Sequence, residues 1–340
     1  MGIDLGTANT LVYLKDKGIV LREPSVVAVD VNTDTVIAVG SEAKEMIGKT
    51  PGSIIAVRPL KDGVIANFDV TAAMLKYFVK KIVKVGLFTR RPKIVICVPS
   101  GVTEVERRAV EDAAKQAGAR DVELMSEPMA AALGASLPVD EPVGSIIVDI
   151  GGGTCEVAVI SLGDIVTSCS IKIAGNRFDE AIASYIKRKY SLLVGEKTAE
   201  NIKIKIGSAM DLGEEEKSVI IKGRNLLDGL PKSVEIRSSE IRVALEYCLE
   251  KIVDAIKSTL EVTPPELAGD IINRGITLSG GGALLPGLDR LISERVGISV
   301  LIAVDPLDCV AVGTGKRLDI NVSKIGKLKK KFKKEKEPVL

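Results

Sequence analysis

The residues from Ser145 to Val159, SIIVDIGGGTCEVAV, combine types that can hold a phosphate and a metal ion. An acid, Asp149, ends an apolar run, Ile146 to Val148. Three glycines, Gly151, Gly152 and Gly153, then lead to a hydroxyl, Thr154. Backbone without Cβ atoms lets several N–H groups close on one phosphate. A carboxylate at a strand end can hold the water shell of Mg²⁺, which dehydrates reluctantly. Taken alone, the string also describes a glycine-rich hairpin turn between two core strands. A second copy favours the chemical reading: Ile3-Asp4-Leu5-Gly6-Thr7 has the same order of apolar strand, acid, glycine and hydroxyl, before another apolar run, Leu11 to Leu14.

The likeness extends past the turns. After Asp4 come a strand, a turn at Lys15 to Gly18 and a third strand, Ile19 to Val29 with polar interruptions. After Asp149 come a strand, a turn at Leu162-Gly163-Asp164 and a third strand, Ile165 to Ile173. Two such meanders predict a duplicated chain whose halves face each other. Opposed hairpins of this kind would clamp a polyphosphate and one metal ion. A third strand-to-glycine turn, Ile276 to Gly282, has no acid before Gly280, Gly281 and Gly282. It suits a flat floor under a base or ribose better than a metal. Glu127 ends a buried strand, where open α/β sheets place ligands, although an acid at a helix start is also favoured by the dipole alone.

The elements that must carry these residues are legible in part. Thr71 to Val85 has helical periodicity, and Thr103 with Glu106 fits a capping box before a helix that stops at Gly118. Pro128 opens an Ala-rich helix. Thr198 to Ser208 reads as a helix with Glu200 and Lys203 on one face, Ile241 to Leu260 as a long amphipathic helix, and Asp308 to Leu318 as a closing helix whose small residues suit a tight crossing. Residues 30–67 read as a smaller unit of short strands and turns. Within it AKEMIGKT, Ala43 to Thr50, misses the first glycine of a P-loop and is rejected as one.

Composition excludes whole classes. The chain of 340 residues contains no histidine, so a Ser-His-Asp or zinc-histidine enzyme is ruled out. Its five cysteines are scattered without a Cys-x-x-Cys pair and read as reduced thiols. No apolar run approaches the roughly 20 residues of a membrane span, and no secretory signal opens the chain; a cytoplasmic location is expected. Net charge is +2, yet the last seventeen residues, Lys324 to Leu340, carry +6 and the remainder −4. Within that tail Ile325, Leu328 and Phe332 share a helical face, which fits either an interfacial amphipathic segment or a solvated disordered tail. Leu87 and Phe88, in a glycine-led loop before Arg90-Arg91, fit either a loop folded onto the core or an apolar wedge into a lipid surface.

DLGTANT from Asp4, the segment Val95 to Gly118, EPMAAA from Glu127, Asp149 to Thr154 and Leu278 to Gly282 follow the order of the actin-like ATPase superfamily. Phrases such as RPLKDGVIA, VPSGVTEVERRAV, KTAENIKIKIGSA and PLDCVAVGTGK resemble the bacterial actins of the MreB family, and the resemblance spans Gly2 to about Leu318. It implies an α/β, actin-like (ribonuclease H-like) duplicated fold: two large domains, each with a smaller subdomain, and ATP with Mg²⁺ in the cleft between them. The expected divisions are 1–28, 68–138 and 310–323 (IA), 29–67 (IB), 139–178 and 242–309 (IIA), 179–241 (IIB), and a basic tail, 324–340.

By the same resemblance, Gly6, Thr7, Ala8, Asn9 and Gly151 to Gly153 embrace the phosphates, and Asp4 and Asp149 hold Mg²⁺ through water. Glu127 and Thr154 orient the attacking water, Glu200 and Lys203 face ribose and adenine, and Gly280 to Gly282 the adenosine. Leu87-Phe88 falls where the family has its membrane-inserting loop, and the helix from Glu104 where it forms its antiparallel contact. The implied function is a filament on the inner face of the cytoplasmic membrane that guides wall synthesis in rod-shaped cells. Slow hydrolysis would time its turnover, RodZ-like and MreC/MreD-like membrane proteins would be partners, and nucleic acid would not.

The sequence also departs from the family. The chain has few residues before its first strand, so that strand is expected to be short and an N-terminal anchor missing. Asn176-Arg177 replaces a usual acidic pair, and Cys155 a common second Thr. The rival readings are an actin-fold small-molecule kinase, a chaperone of the seventy-kilodalton heat-shock class, whose peptide-binding domain has no counterpart here, and a scaffold that binds ATP without hydrolysing it.

Overall fold

In the computed structural model, which describes residues 1–83 and 91–319, both expected meanders form. Strands β1 (Gly2–Leu5), β2 (Asn9–Leu14) and β3 (Gly18–Pro24) pair antiparallel in sequence. The third strand stops short of Val29, because Pro24 has no N–H with which to extend the ladder. The chain instead enters a separate sheet, where β4 (Val27–Asp30) lies between β5 (Thr35–Val39) and β6 (Ile54–Val57), with helix α1 (Ser41–Met46) between the latter two in sequence. A two-stranded hairpin, β7 (Leu60–Lys61) and β8 (Val64–Ile65), precedes α2 (Phe68–Ile82). Asn67 caps α2 by accepting from the Val70 N–H, which starts it at Phe68, three residues before the expected start at Thr71.

The first sheet is completed by β9 (Lys93–Val98) and β10 (Asp121–Ser126), joined through α3 (Glu104–Gln116). The Thr103–Glu106 capping box is present as expected. Helix α4 (Glu127–Gly134) follows β10 directly. Its alanines Ala130, Ala131 and Ala132 are fully buried together with Val95 of β9 and Ile147 of the next strand. It thus lies between the two halves, and small side chains let both sheets approach it.

The second half repeats the first. Strands β11 (Ser145–Ile150), β12 (Cys155–Ser161) and β13 (Asp164–Ile171) form the meander, and α5 (Gly175–Tyr190) leads away. A small sheet of β14 (Leu192–Leu193), β15 (Ser218–Asn225) and β16 (Pro231–Arg237) then forms, with α6 (Glu196–Ile206) inserted. Helices α7 (Ser238–Glu261) and α8 (Pro265–Arg274) lead to β17 (Ile276–Ser279), α9 (Leu288–Val296), β18 (Val300–Ile302) and α10 (Cys309–Asp319). The sheet orders β3-β2-β1-β9-β10 and β13-β12-β11-β17-β18 are the same topology twice. In each, the leading strand pairs parallel with the strand after the crossover, so both acids sit at a strand end facing the space between the halves.

Helix α10 closes the chain against α4. A Cβ on Gly134 would lie 1.8 Å from the Cys309 carbonyl oxygen, and one on Gly313 would lie 1.9 Å from that of Ala130. The helices therefore meet backbone to backbone, which explains the small residues seen in the sequence. All five cysteines are free, and four are buried. Among the described residues no helix is long and apolar enough to cross a membrane. Leu87 and Phe88, and the basic tail 324–340, lie outside the described residues.

Candidate functional site

The two glycine loops meet. A Cβ on Gly152 would stand 2.7 Å from the Ala8 Cβ, and one on Gly153 would stand 2.6 Å from Thr7 Oγ1 and 3.0 Å from the Asp62 Cα. Glycine is needed there because a loop of the other half occupies the side-chain space. Each loop is also held from behind by its carbonyl oxygens. Ser25 donates its hydroxyl to Gly6 O at 2.6 Å and its N–H to Ala8 O at 3.0 Å. The Gly175 and Asn176 N–H groups donate to Gly151 O and Gly152 O at 3.1 and 2.8 Å. With those carbonyls engaged, and no protein acceptor for the N–H groups of Gly152 and Gly153 among the described residues, the donors are available to an anion in the cleft. Neither Ser25 nor Gly175 was singled out from sequence; the serine that follows the β3 proline was the available signal.

The cleft is a cavity of about 490 Å³ lined by Asp4, Gly6 to Asn9, Glu127, Asp149, Gly151 to Thr154, Glu200, Lys203 and Gly280 to Gly282. Every candidate residue from the sequence except Leu87 and Phe88 therefore reaches one space. The glycines of the third turn have a further reason. A Cβ on Gly280 would come within 2.3 Å of Ile150 O, and one on Gly282 within 2.2 Å of the Ile150 side chain. Close packing on β11 requires them, and a flat cavity floor follows from it.

Asp4, Asp149 and Glu127 line the cleft close enough to repel one another. Asp149, 5% exposed, accepts a hydrogen bond from the Ser279 hydroxyl of the neighbouring strand. Burial pushes its carboxyl up to about 6 against that bond, and Glu156 adds repulsion. Asp4 is pushed up to about 8 by burial, then by Asp149 and Asp308. Glu127 is raised well above the usual carboxylate range by burial, then by Asp149, Asp4 and Glu156. No protein group among the described residues hydrogen-bonds its carboxyl. Such mutual repulsion is relieved by protons or by a cation.

The donor set fits Mg²⁺ held through water. No three acidic, cysteine or histidine groups among the described residues are close enough to chelate an ion directly. The three basic side chains of the cavity are already engaged. Arg22 is paired with both carboxylate oxygens of Asp308 at 2.6 and 2.9 Å, Arg58 with Glu196, and Lys203 with Asp179 at 2.9 Å. Asp179 and Glu200 are themselves paired with Lys203 and Lys44, which leaves Asp4, Glu127 and Asp149 as the cavity acids without a basic partner among the described residues.

Two ion pairs span the mouth of the cleft, Lys44–Glu200 at 2.9 Å and Arg58–Glu196. Glu200 thus lines the cavity while paired with the opposite half. Of the departures noted above, Asn176 lines the cavity and Arg177 turns to Glu180, 2.5 Å away. The rejected P-loop look-alike contributes only Lys44, through that pair.

Comparison with known proteins agrees with this architecture. The family model described as MreB/Mbl protein matches residues 1–325. The cell shape-determining protein Mbl of Bacillus subtilis is 53% identical over 329 residues, covering 97% of this chain and 98% of that one. The cell shape-determining protein MreB of Escherichia coli is 54% identical over 324 residues, covering 94% and 93%. Among solved structures, MreB 5 of Spiroplasma citri bound to AMPPNP is 43% identical with a TM-score of 0.89, covering 95% of this chain and 96% of that one. A MamK double helical filament, 22% identical with a TM-score of 0.79 over 94% and 98%, shares the fold. The fold is actin-like, and the chain belongs to the MreB/Mbl family of cell shape-determining proteins.

Proposed function

We propose that this protein binds ATP with Mg²⁺ in the cleft, hydrolyses it slowly, and assembles with itself into membrane-associated antiparallel double filaments that organise wall synthesis and keep cells rod-shaped. The observation that carries the nucleotide reading is the meeting of two acid-tipped glycine loops, Gly152 against Ala8, in one cavity. The Spiroplasma citri relative bound to AMPPNP and to ADP supports it.

In this reading Gly6 to Asn9 and Gly151 to Gly153 take the phosphates on backbone N–H groups. Asp4 and Asp149 hold Mg²⁺ through its waters, and the ion supplies charge neutralisation on the phosphate oxygens. Ser279 keeps the Asp149 carboxylate turned into the cleft. Glu200 and Lys203 face ribose and adenine, above the floor of Gly280 to Gly282. Glu127 accepts a hydrogen bond from the attacking water, and Thr154, at the end of the second glycine loop, fixes its second contact. Hydrolysis of this kind depends on positioning more than on covalent chemistry. A single buried carboxylate and a hydroxyl suit slow turnover that times the polymer.

The divisions into subdomains IA, IB, IIA and IIB given above are part of this reading. Self-association fits the exposed aliphatics Leu227 on the β15–β16 hairpin, 82% exposed, and Val304 after β18, 97% exposed. The same reading places the protein in the cytoplasm at the inner membrane face, with RodZ-like and MreC/MreD-like proteins as partners and Leu87-Phe88 as the lipid contact. The test is phosphate release by purified protein with MgATP. Glu127→Ala is expected to bind ATP and lose release by about 10²-fold or more; unchanged release would remove Glu127 from the chemistry and favour a scaffold without hydrolysis.

A further inference from the structure

Asp179, in the second turn of α5, is the one buried acid of the cavity that the hydrolysis described above leaves without a task. It is 6% exposed and lines the cleft at the side where α6 faces it. Its Oδ1 stands 2.9 Å from Lys203 Nζ. That contact is an ion pair, not an aligned hydrogen bond, and Lys203 donates its hydrogen bond to Gly175 O at 2.9 Å. Gly175 in turn donates its N–H to Gly151 O, and Asn176 donates to Gly152 O. A Cβ on Gly175 would lie 3.4 Å from Lys203 Nζ and 3.6 Å from the Gly152 Cα, so the residue fills the gap between the lysine and the phosphate loop. An unbroken line of polar contacts runs from Asp179 through Lys203 and Gly175 to the second glycine loop.

We infer, on the reading that the cleft takes ATP, that Asp179 is a positioning residue that locks Lys203 against Gly175 and so ties the adenosine-side helix α6 to the loop that holds the phosphates. The geometry favours this over a plain folding pair. The carboxylate engages a side chain that itself lines the cavity, and the lysine's hydrogen bond is to the turn that orders Gly151 and Gly152. A lysine with three donors and a flexible stem otherwise has many rotamers, and fixing it beforehand removes that cost from binding.

Protonating Asp179 would release the lock. The charged groups that face it come from α6: Lys203, which holds its carboxyl down, and Glu200 and Glu196, which raise it. Burial is the largest influence and pushes it up to about 6. The lock therefore holds above that pH and opens as pH falls through it, so nucleotide affinity drops on acidification.

The experiment is calorimetric titration of the full chain with ADP in excess MgCl₂ at pH 7.5 and 5.5. The variants are Asp179→Asn, Asp179→Glu, Lys203→Met and the double substitution. At pH 7.5 Asp179→Asn is expected to bind about tenfold more weakly than wild type, from the loss of one charge-assisted contact. It is also expected to lose the part of the pH dependence that Asp179→Glu keeps. The double variant is expected to match Lys203→Met. Wild-type affinity in Asp179→Asn, an unaltered pH step, or a double variant clearly weaker than Lys203→Met would each overturn the inference. If Asp179→Asn fails to fold, the double variant, which leaves no lone buried charge, still decides by its comparison with Lys203→Met. Absence of MgADP binding by the wild type would instead sink the nucleotide reading itself.

Discussion

Replacing Gly152 with alanine tests whether the two halves must touch for the cleft to work. The added Cβ would lie 2.7 Å from the Ala8 Cβ and 3.1 Å from the Ala8 nitrogen. Carbon atoms in contact prefer about 3.5–4.0 Å, so the loops must separate by roughly 1 Å. Overpacking of this size costs about 1–3 kcal/mol, which is roughly 5- to 150-fold in affinity if the cost falls wholly on the closed, bound form. Phosphate release should fall further, since a displacement of about 1 Å can cost on the order of 10²-fold in rate. Folding of each half should be spared, because the clash lies between two glycine loops lining the cleft and can be relieved by their parting. The assay pairs calorimetric titration of MgADP with thermal unfolding, and Gly269→Ala in α8 serves as control. A Cβ there meets nothing within 4 Å, and alanine in a helix should add about 0.5–1 kcal/mol of stability. Wild-type nucleotide affinity in Gly152→Ala, with an unchanged melt, would refute the idea that contact between the loops builds the site.

Other expectations follow from charge. Asp4, Asp149 and Glu127 all have raised folded-state values, so between the unfolded value (3.8 for the aspartates, 4.5 for Glu127) and the folded one the native state holds more protons. Stability without ligand should therefore fall as pH rises from about 4 towards 8, Asp149 contributing at most about 3 kcal/mol, nearly all of it between about pH 4 and 6. MgADP should shrink that fall, and melts that rise with pH in the absence of ligand would contradict the buried-carboxylate account. Lys44→Ala with Arg58→Ala removes both ion pairs across the cleft mouth. Each partly exposed pair is worth less than about 1 kcal/mol, so nucleotide dissociation should quicken severalfold in stopped-flow, and an unchanged rate would show that the pairs do not restrain opening. Leu87→Ser with Phe88→Ser should weaken sedimentation with anionic liposomes, and full retention would rule the loop out as the main anchor.

What the sequence determined by itself was whatever depends on near neighbours along the chain. An apolar run ending in an acid and glycines reads the same at Asp4 and Asp149. The Thr103 capping box and the small residues of α10 are equally local, and their elements formed as expected. Resemblance then brought the separated glycine loops and acids into one cleft in expectation, and Asp4, Glu127, Asp149 and the three glycine turns do line one cavity. Tertiary structure decided what arises between distant residues. Ser25 was invisible as a site residue because its partners, the carbonyls of Gly6 and Ala8, become neighbours only when β3 turns back. Asp179 and Lys203 lie on different helices, and nothing local to either states that they pair. The strand break at Pro24 left a pattern that still looked continuous, since apolar residues resume at Val26 for another sheet. The protonation of the acids belongs wholly to the fold: a carboxyl's affinity for its proton depends on the water and charges around it, and the chain supplies those only once its two halves have closed on each other.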